Sequence, residues 1–178
     1  MVKTRGGSMA SITSNLPLLD MSTSTTGCCP KFNPSEWDGK VFEFKNKPFI
    51  KDQTVSFMHI PLNMSKVMTR LQKTAENHKA VAKDFILLSE EISPWHANHY
   101  YAVSKELSST EVVHLSGKYF AKVYEGAFKD AVKWHKDLIN TVETRGDELK
   151  QIFFYYTTCP KCAKTYGANY VVGIARIA

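Results

Sequence analysis

The chain has 178 residues, 43% of them hydrophobic and 22% charged, and carries a formal charge of +6. This is the composition of one ordinary globular domain with tails or arms, and it excludes a fibrous or low-complexity chain. No apolar run approaches the ~20 residues of a membrane-spanning helix. Acids accompany the basic residues throughout, with six Asp/Glu against seven Lys/Arg from Lys118 to Lys150. Neither a membrane nor a nucleic-acid partner is expected.

Residues 1–27 are rich in Ser, Thr and Gly with little periodicity. They are expected to form a disordered tail, because they bury too little apolar surface to offset the entropy of ordering. They contain no secretory apolar core, so the expected compartment is the cytoplasm. Residues 28–50 mix prolines and aromatics with charges and are expected to form an ordered arm across the domain surface. Asn33, Pro34 and Ser35 favour a turn near Trp37, and the stretch from Val41 to Phe44 is a candidate short strand.

Residues 51–178 carry an internal repeat, one unit at about 55–104 and a second at about 118–177. Each reads strand, helix, strand, turn, strand. The first helix carries Met64, Val67, Met68 and Leu71 at helical spacing, with Asn63 or Ser65 as N-cap. The second carries Phe128, Ala131, His135, Leu138 and Val142 on one stripe, with Trp134 at its edge, and ends at Gly146. From Val113 to Val123 the residues alternate between apolar and polar faces, as a half-buried strand requires. The expected fold is α+β. A duplicated β-α-β-β unit would form an antiparallel sheet, with two helices packed on one side. A groove between the halves is where a small-molecule ligand would sit.

The four cysteines fall into two pairs, Cys28 with Cys29 and Cys159 with Cys162. A C-P-x-C turn presents two thiolates to a tetrahedral zinc ion. An arm folded back over the domain would add Cys28 and Cys29 as the third and fourth ligands, although neighbours in an extended chain point opposite ways. Redox chemistry and inert thiols remain open beside the metal reading. The thioredoxin setting is disfavoured because a β-turn, not a helix, is expected at Cys159. Zn2+ is the candidate cofactor, and no organic cofactor is implied.

Glu90, Glu91, His96 and His99 cluster at the turn of the first unit. His96 and His99 are three residues apart, which on a strand sends them to opposite faces. His59 on the first strand is a candidate for a hydrogen-bonded core histidine or a groove residue. Glu125 ends a strand just before Gly126 and opens the second helix. A carboxylate there, flanked by Tyr124 and Phe128, suits a general acid or base as well as the plainer role of favouring the helix dipole. Trp37, Trp95, Tyr119, Tyr155 and Tyr156 are candidate groove walls.

The segment from His114 to Ile139, HLSGKYFAKVYEGAFKDAVKWHKDLI, resembles the second-half motif of GyrI-like small-molecule-binding domains, the fold shared with the SOUL family. The resemblance covers about residues 51–178. The turn here reads Glu125, Gly126, Ala127, Phe128, without that family's usual proline. The family's late Glu-x-Tyr strand is replaced by a run from Phe153 to Tyr156. GCCPKFNPSEWD, FMHIPLN and YYTTCPKCAKTYGANYVV look like a group of prokaryotic proteins, some of which carry a generic hydrolase label.

The resemblance implies a ligand-binding domain without an attached helix-turn-helix. It would take a flat apolar or aromatic molecule between its halves, anchored by Glu125. One alternative is a hydrolase acting on a reactive small molecule through Glu125. Another is a zinc-stabilised module that binds a protein partner, as gyrase inhibitors do. No nucleophile elbow or H-E-x-x-H motif is present, which disfavours ordinary esterase and metallopeptidase chemistry.

Overall fold

The computed structural model describes residues 12–178. Residues 1–11 of the expected tail lie outside the described residues. From Ile12 the chain is laid against the domain: β1 (Ile12–Thr13) pairs in parallel with the start of β2, and Leu16 is buried in the core.

The elements then run β2 (Val41–Phe57), β3 (Ile60–Pro61), α1 (Met64–Asn77), β4 (Leu87–Ser93), β5 (His96–Ala102), β6 (Val112–Glu125), α2 (Ala131–Arg145), β7 (Leu149–Tyr156), α3 (Pro160–Tyr166) and β8 (Tyr170–Ile177). The protein is α+β, with six antiparallel strands closed into a barrel in the order β2-β5-β4-β7-β8-β6 and back to β2. The strand-helix-strand-strand unit occurs twice. Its first copy starts at Val41 rather than Val55, so the candidate short strand in the arm is the beginning of a 17-residue barrel strand.

That long strand closes the sheet where the two halves meet. β2 pairs with β6 from Val41 to Ile50 and with β5 from Phe49 to Val55, so it stitches the two units together. The bend this requires is made by a bulge between Phe44 and Lys47, where Asn46 takes a left-handed φ of 55° and donates its N–H to Ser116 Oγ. Gly117, opposite Phe44, has a φ of 121°. Such paired irregularities coil a sheet toward closure.

In a six-stranded barrel the inward side chains fill the interior. Here Phe42, Phe44, Phe49, Tyr100, Tyr119, Phe153 and Tyr155 do so, together with Leu88, Val172 and Ile174. Both long helices pack on the outside, in separate clusters. α1 buries Val67, Leu71 and Ala75 against Ile50 and Val103. α2 buries Trp134, Leu138 and Val142 against Phe120, Tyr124, Val171 and Ala175. His135 and Phe128, expected on the buried stripe of α2, are exposed. α2 stops where Gly146 adopts the left-handed cap at φ 81°. Asn63 stands at the N-cap of α1, but its side-chain oxygen accepts from Val55 N and so ties the helix start to the barrel. Among the described residues no helix is long and apolar enough to cross a membrane.

Candidate ligand cleft and thiol cluster

The N-terminal arm closes one end of the barrel. A short 3-10 turn, Pro34–Glu36, begins where Asn33 Oδ1 accepts from Ser35 N. It delivers Trp37 into the interior, 4% exposed, with its ring 5.2 Å from Phe42 and 5.4 Å from Tyr155. Phe32 bridges Trp37 and Tyr170 at 6.1 and 5.7 Å. Asp38 Oδ1 accepts from Val123 N at 2.9 Å, and Gly39 N donates to Ala121 O, so the arm is pinned along the end of β6.

Between arm and barrel wall lies an open cleft of about 380 Å³, lined by Pro34, Ser35, Asp38, Val123, Glu125 and Tyr170. Glu125 and Tyr170 are cross-strand partners at the ends of β6 and β8. Behind them Gly126 N donates to Asn169 O, and Asn169 Nδ2 donates to Gly126 O, which fixes the strand ends. Pro34, Val123 and Tyr170 thus share this space with two carboxylates, Asp38 and Glu125. A second, wider depression of about 600 Å³ runs between residues 13–18 and the arm, lined by Leu16, Pro17, Glu36, Lys40 and Phe42 among others.

The expected groove residues do not converge. Glu125 lines the cleft. Trp37 supports it from beneath as core. Tyr119 is fully buried among barrel aromatics and reaches no surface. Tyr155 is likewise interior, and burial pushes its hydroxyl well above the usual tyrosine range. Tyr156 points outward to the α2 side, 5.4 Å from Phe128, with burial pushing its hydroxyl up to about 12. Trp95 is exposed at the β4–β5 turn against Phe57. His59 is neither core nor groove. It is an exposed residue in a left-handed turn at φ 70°, hydrogen-bonded through Nδ1 to Glu91. His96 is exposed, whereas His99 is buried between Thr54 Oγ1 and Ser89 Oγ at 3.0 and 2.9 Å. The first-unit histidines therefore form no joint site.

Asp38 and Tyr170 were not singled out from the sequence. The signal for Asp38 was its place before Gly39, which takes a left-handed φ of 70° and turns the arm back onto β6. Glu90 is a second carboxylate of interest. It faces the barrel's other end and accepts from Tyr100 Oη at 2.8 Å, Gln151 Nε2 at 2.5 Å and Asn98 Nδ2 at 3.4 Å. Burial, then this acceptor, push the Tyr100 hydroxyl up to about 12.

The four cysteines meet. Cys28 Sγ lies 3.7 Å from Cys29 Sγ and 4.0 Å from Cys159 Sγ, and all four sulfurs lie within 4.8 Å of one another. This spacing can hold a metal such as zinc. The awkwardness of adjacent cysteines does not arise, because Cys28 and Cys29 lie in a bend and not in an extended strand. The C-P-x-C segment opens a helix rather than a β-turn. Pro160 suits the first position of α3, Cys159 Sγ caps it by accepting from Cys162 N, and Gly167 ends it. The hydroxyl of Thr26 draws Cys162 down to about 7, and burial pushes Cys29 up to about 12.

A family described as Bacterial hydrolase has a model that matches residues 19–177. No curated protein matches the chain. Among solved structures the chain is similar to that of SAV2435 bound to tetraphenylphosphonium. The two share 11% identity with a TM-score of 0.50, over 78% of this chain and 93% of the other. At that identity the likeness speaks to the fold.

Proposed function

The chain belongs to the bacterial hydrolase family, and on that premise we propose that it takes up a small aromatic, preferably cationic, organic molecule in the cleft between arm and barrel. The observation that carries this reading is the pairing of Glu125 and Asp38 with the Tyr170 ring and Val123 around one open space. An aromatic cation has an apolar face for Val123, Pro34 and Tyr170 and a charge for the two carboxylates. The solved relative is bound to tetraphenylphosphonium, an apolar aromatic cation, which supports this ligand class. It also supports the GyrI-like plan of the domain.

Tetraphenylphosphonium itself is the first probe. Titration is expected to give saturable binding in the micromolar to millimolar range. Each exposed carboxylate contributes about 1 kcal/mol, so Glu125→Gln and Asp38→Asn each weaken binding roughly fivefold. Unchanged affinity in the double variant would sink this site.

The family's description favours hydrolysis as a second reading. Glu125 then takes a proton from the water that attacks the substrate and returns it to the leaving group as the scissile bond breaks, while Asp38, oriented by Val123 N, steadies a positively charged substrate. Incubation with a panel of strained electrophiles and activated esters tests this. Equal turnover by the chain and by Glu125→Gln would remove Glu125 as the base.

A further inference from the structure

We propose that Cys28, Cys29, Cys159 and Cys162 are the four ligands of one structural zinc ion, and that this ion latches the N-terminal arm to the barrel. Zinc–sulfur bonds of ~2.3 Å in a tetrahedron set sulfurs about 3.8 Å apart. The separations of 3.7 and 4.0 Å bracket that value. A disulfide needs ~2.05 Å, so neither contact is a bond, and the set is arranged as a cage of four.

The surroundings suit thiolates. Cys159 N donates to Cys29 Sγ and Cys162 N to Cys159 Sγ, both at 3.5 Å, and Thr26 Oγ1 lies 3.2 Å from Cys162 Sγ. Outer donors of this kind hold ligand sulfurs in place. Tyr166 Oη donates to Cys29 O at 2.5 Å, tying α3 to the arm a second time. In sequence Lys161 stands between Cys159 and Cys162, and Lys31 follows Cys29 by two residues. These cations suit a centre whose four thiolates leave a net charge of about −2 around a divalent ion. Four soft sulfurs, all within 4.8 Å of one another, select zinc or iron over harder ions. With every position filled by protein, the ion has no place for a substrate water and acts on structure alone.

The two halves of the cage come from chain segments 130 residues apart. The arm runs from Cys29 directly to Phe32, Pro34, Trp37 and Asp38, and α3 runs directly to Tyr170. Both walls of the cleft therefore start at the metal. Binding four thiols displaces their four protons to solvent, and no oxidant or reductant is consumed.

The test uses the full chain purified without chelator under reducing conditions. Elemental analysis is expected to give about one zinc per chain. Exchange with cobalt(II) is expected to give the intense visible bands of a tetrahedral thiolate centre, lost in the Cys159→Ser/Cys162→Ser variant. Should that variant not fold, the cobalt spectrum of the unsubstituted chain decides. Chelation is expected to speed proteolytic cleavage within residues 30–40 roughly tenfold, and added zinc to reverse it. Zinc below about a tenth per chain with four titratable thiols would overturn the site, as would a mass lower by four hydrogens, which marks two disulfides. Full zinc with unchanged cleavage would overturn the latch. None of these readouts depends on tetraphenylphosphonium binding, so the ligand reading and the zinc reading fail separately.

Discussion

The ring of Trp37 lies 5.4 Å, centroid to centroid, from the ring of Tyr155, so the arm ends inside the barrel instead of resting on it. The arm thereby completes the core, and the cleft above it has a fixed floor. Trp37→Ala leaves a cavity between Phe42 and Tyr155. The expected cost is about 3–5 kcal/mol, a fall in Tm of roughly 10 °C for a chain of this size. Urea denaturation checks it, with Trp37→Phe expected to lose much less. A loss below about 1 kcal/mol for the alanine variant would mean the arm is dispensable to the core.

His99 sets an acid limb to stability. Burial lowers its imidazole from 6.5 to about 4, against a smaller opposing pull from the Asp52 charge. Between those values the unfolded chain holds more protons than the folded one, so stability rises with pH across that window. The contribution is full above pH 6.5 and is lost progressively as the pH falls toward 4. Its upper value is about 3 kcal/mol. Urea midpoints measured from pH 4 to 8 are expected to show this slope. In His99→Gln the slope flattens while overall stability drops, because Thr54 and Ser89 lose a well-placed partner. Parallel acid limbs in the two proteins would count against it.

Gly173 decides how closely α2 sits on β8. A methyl group there would come within 2.9 Å of Leu138 Cδ2 and 3.0 Å of Tyr124 Cε2, and Leu138 is fully buried and has little room to move. Gly173→Ala is expected to cost about 1–3 kcal/mol by overpacking. Leu138→Ala alone opens a cavity of its own. The double variant is expected to lose less than the two singles added together, since the new methyl occupies part of the vacated space. Strict additivity in denaturation midpoints would show that the two side chains do not compete.

The repeat was legible because it lies in local pattern. Val67 and Leu71 on one helix stripe, Leu138 and Val142 on the other, and alternation through Tyr119 and Ala121 are all set by residues close in sequence. Closure of the barrel was not. It depends on β2 pairing on both edges, and the two kinks that permit it, at Asn46 and Gly117, acquire meaning only once Phe44 is seen opposite Gly117. The arm was harder still. Trp37 and Phe42 have the composition of a surface strap, and only the empty end of the barrel shows where they go. Cys159 and Cys162 announced themselves by spacing. The segment they bracket starts a helix and not the expected β-turn, since Pro160 suits the first position of either.

The barrel is closed unevenly, and this has a measurable consequence. β2 and β6 pair along most of Val41–Ile50, whereas β4 and β7 share a single ladder pair, Ser89 with Phe154. Across that weak seam a side chain takes over: Gln151 Nε2 on β7 donates to Glu90 on β4, which also accepts from Tyr100 Oη on the neighbouring β5. Local opening follows the sparsest hydrogen bonding. Hydrogen exchange is therefore expected to be faster in a peptide covering residues 87–93 than in one covering 118–125, which is paired on both edges where β6 meets β2 and β8. Glu90→Ala leaves Gln151, Tyr100 and Asn98 without this acceptor, at a cost of about 1–3 kcal/mol. It is expected to speed exchange in the first peptide while leaving the second unchanged. Equal rates in the two peptides of the unsubstituted chain would show that the seam is as firm as the rest of the barrel. A seam that opens would give a ligand a route to the aromatic interior at Tyr119 and Phe153. Glu90→Ala thus separates interior binding from binding in the proposed cleft, since binding at Glu125 and Asp38 is expected to keep its affinity in that variant.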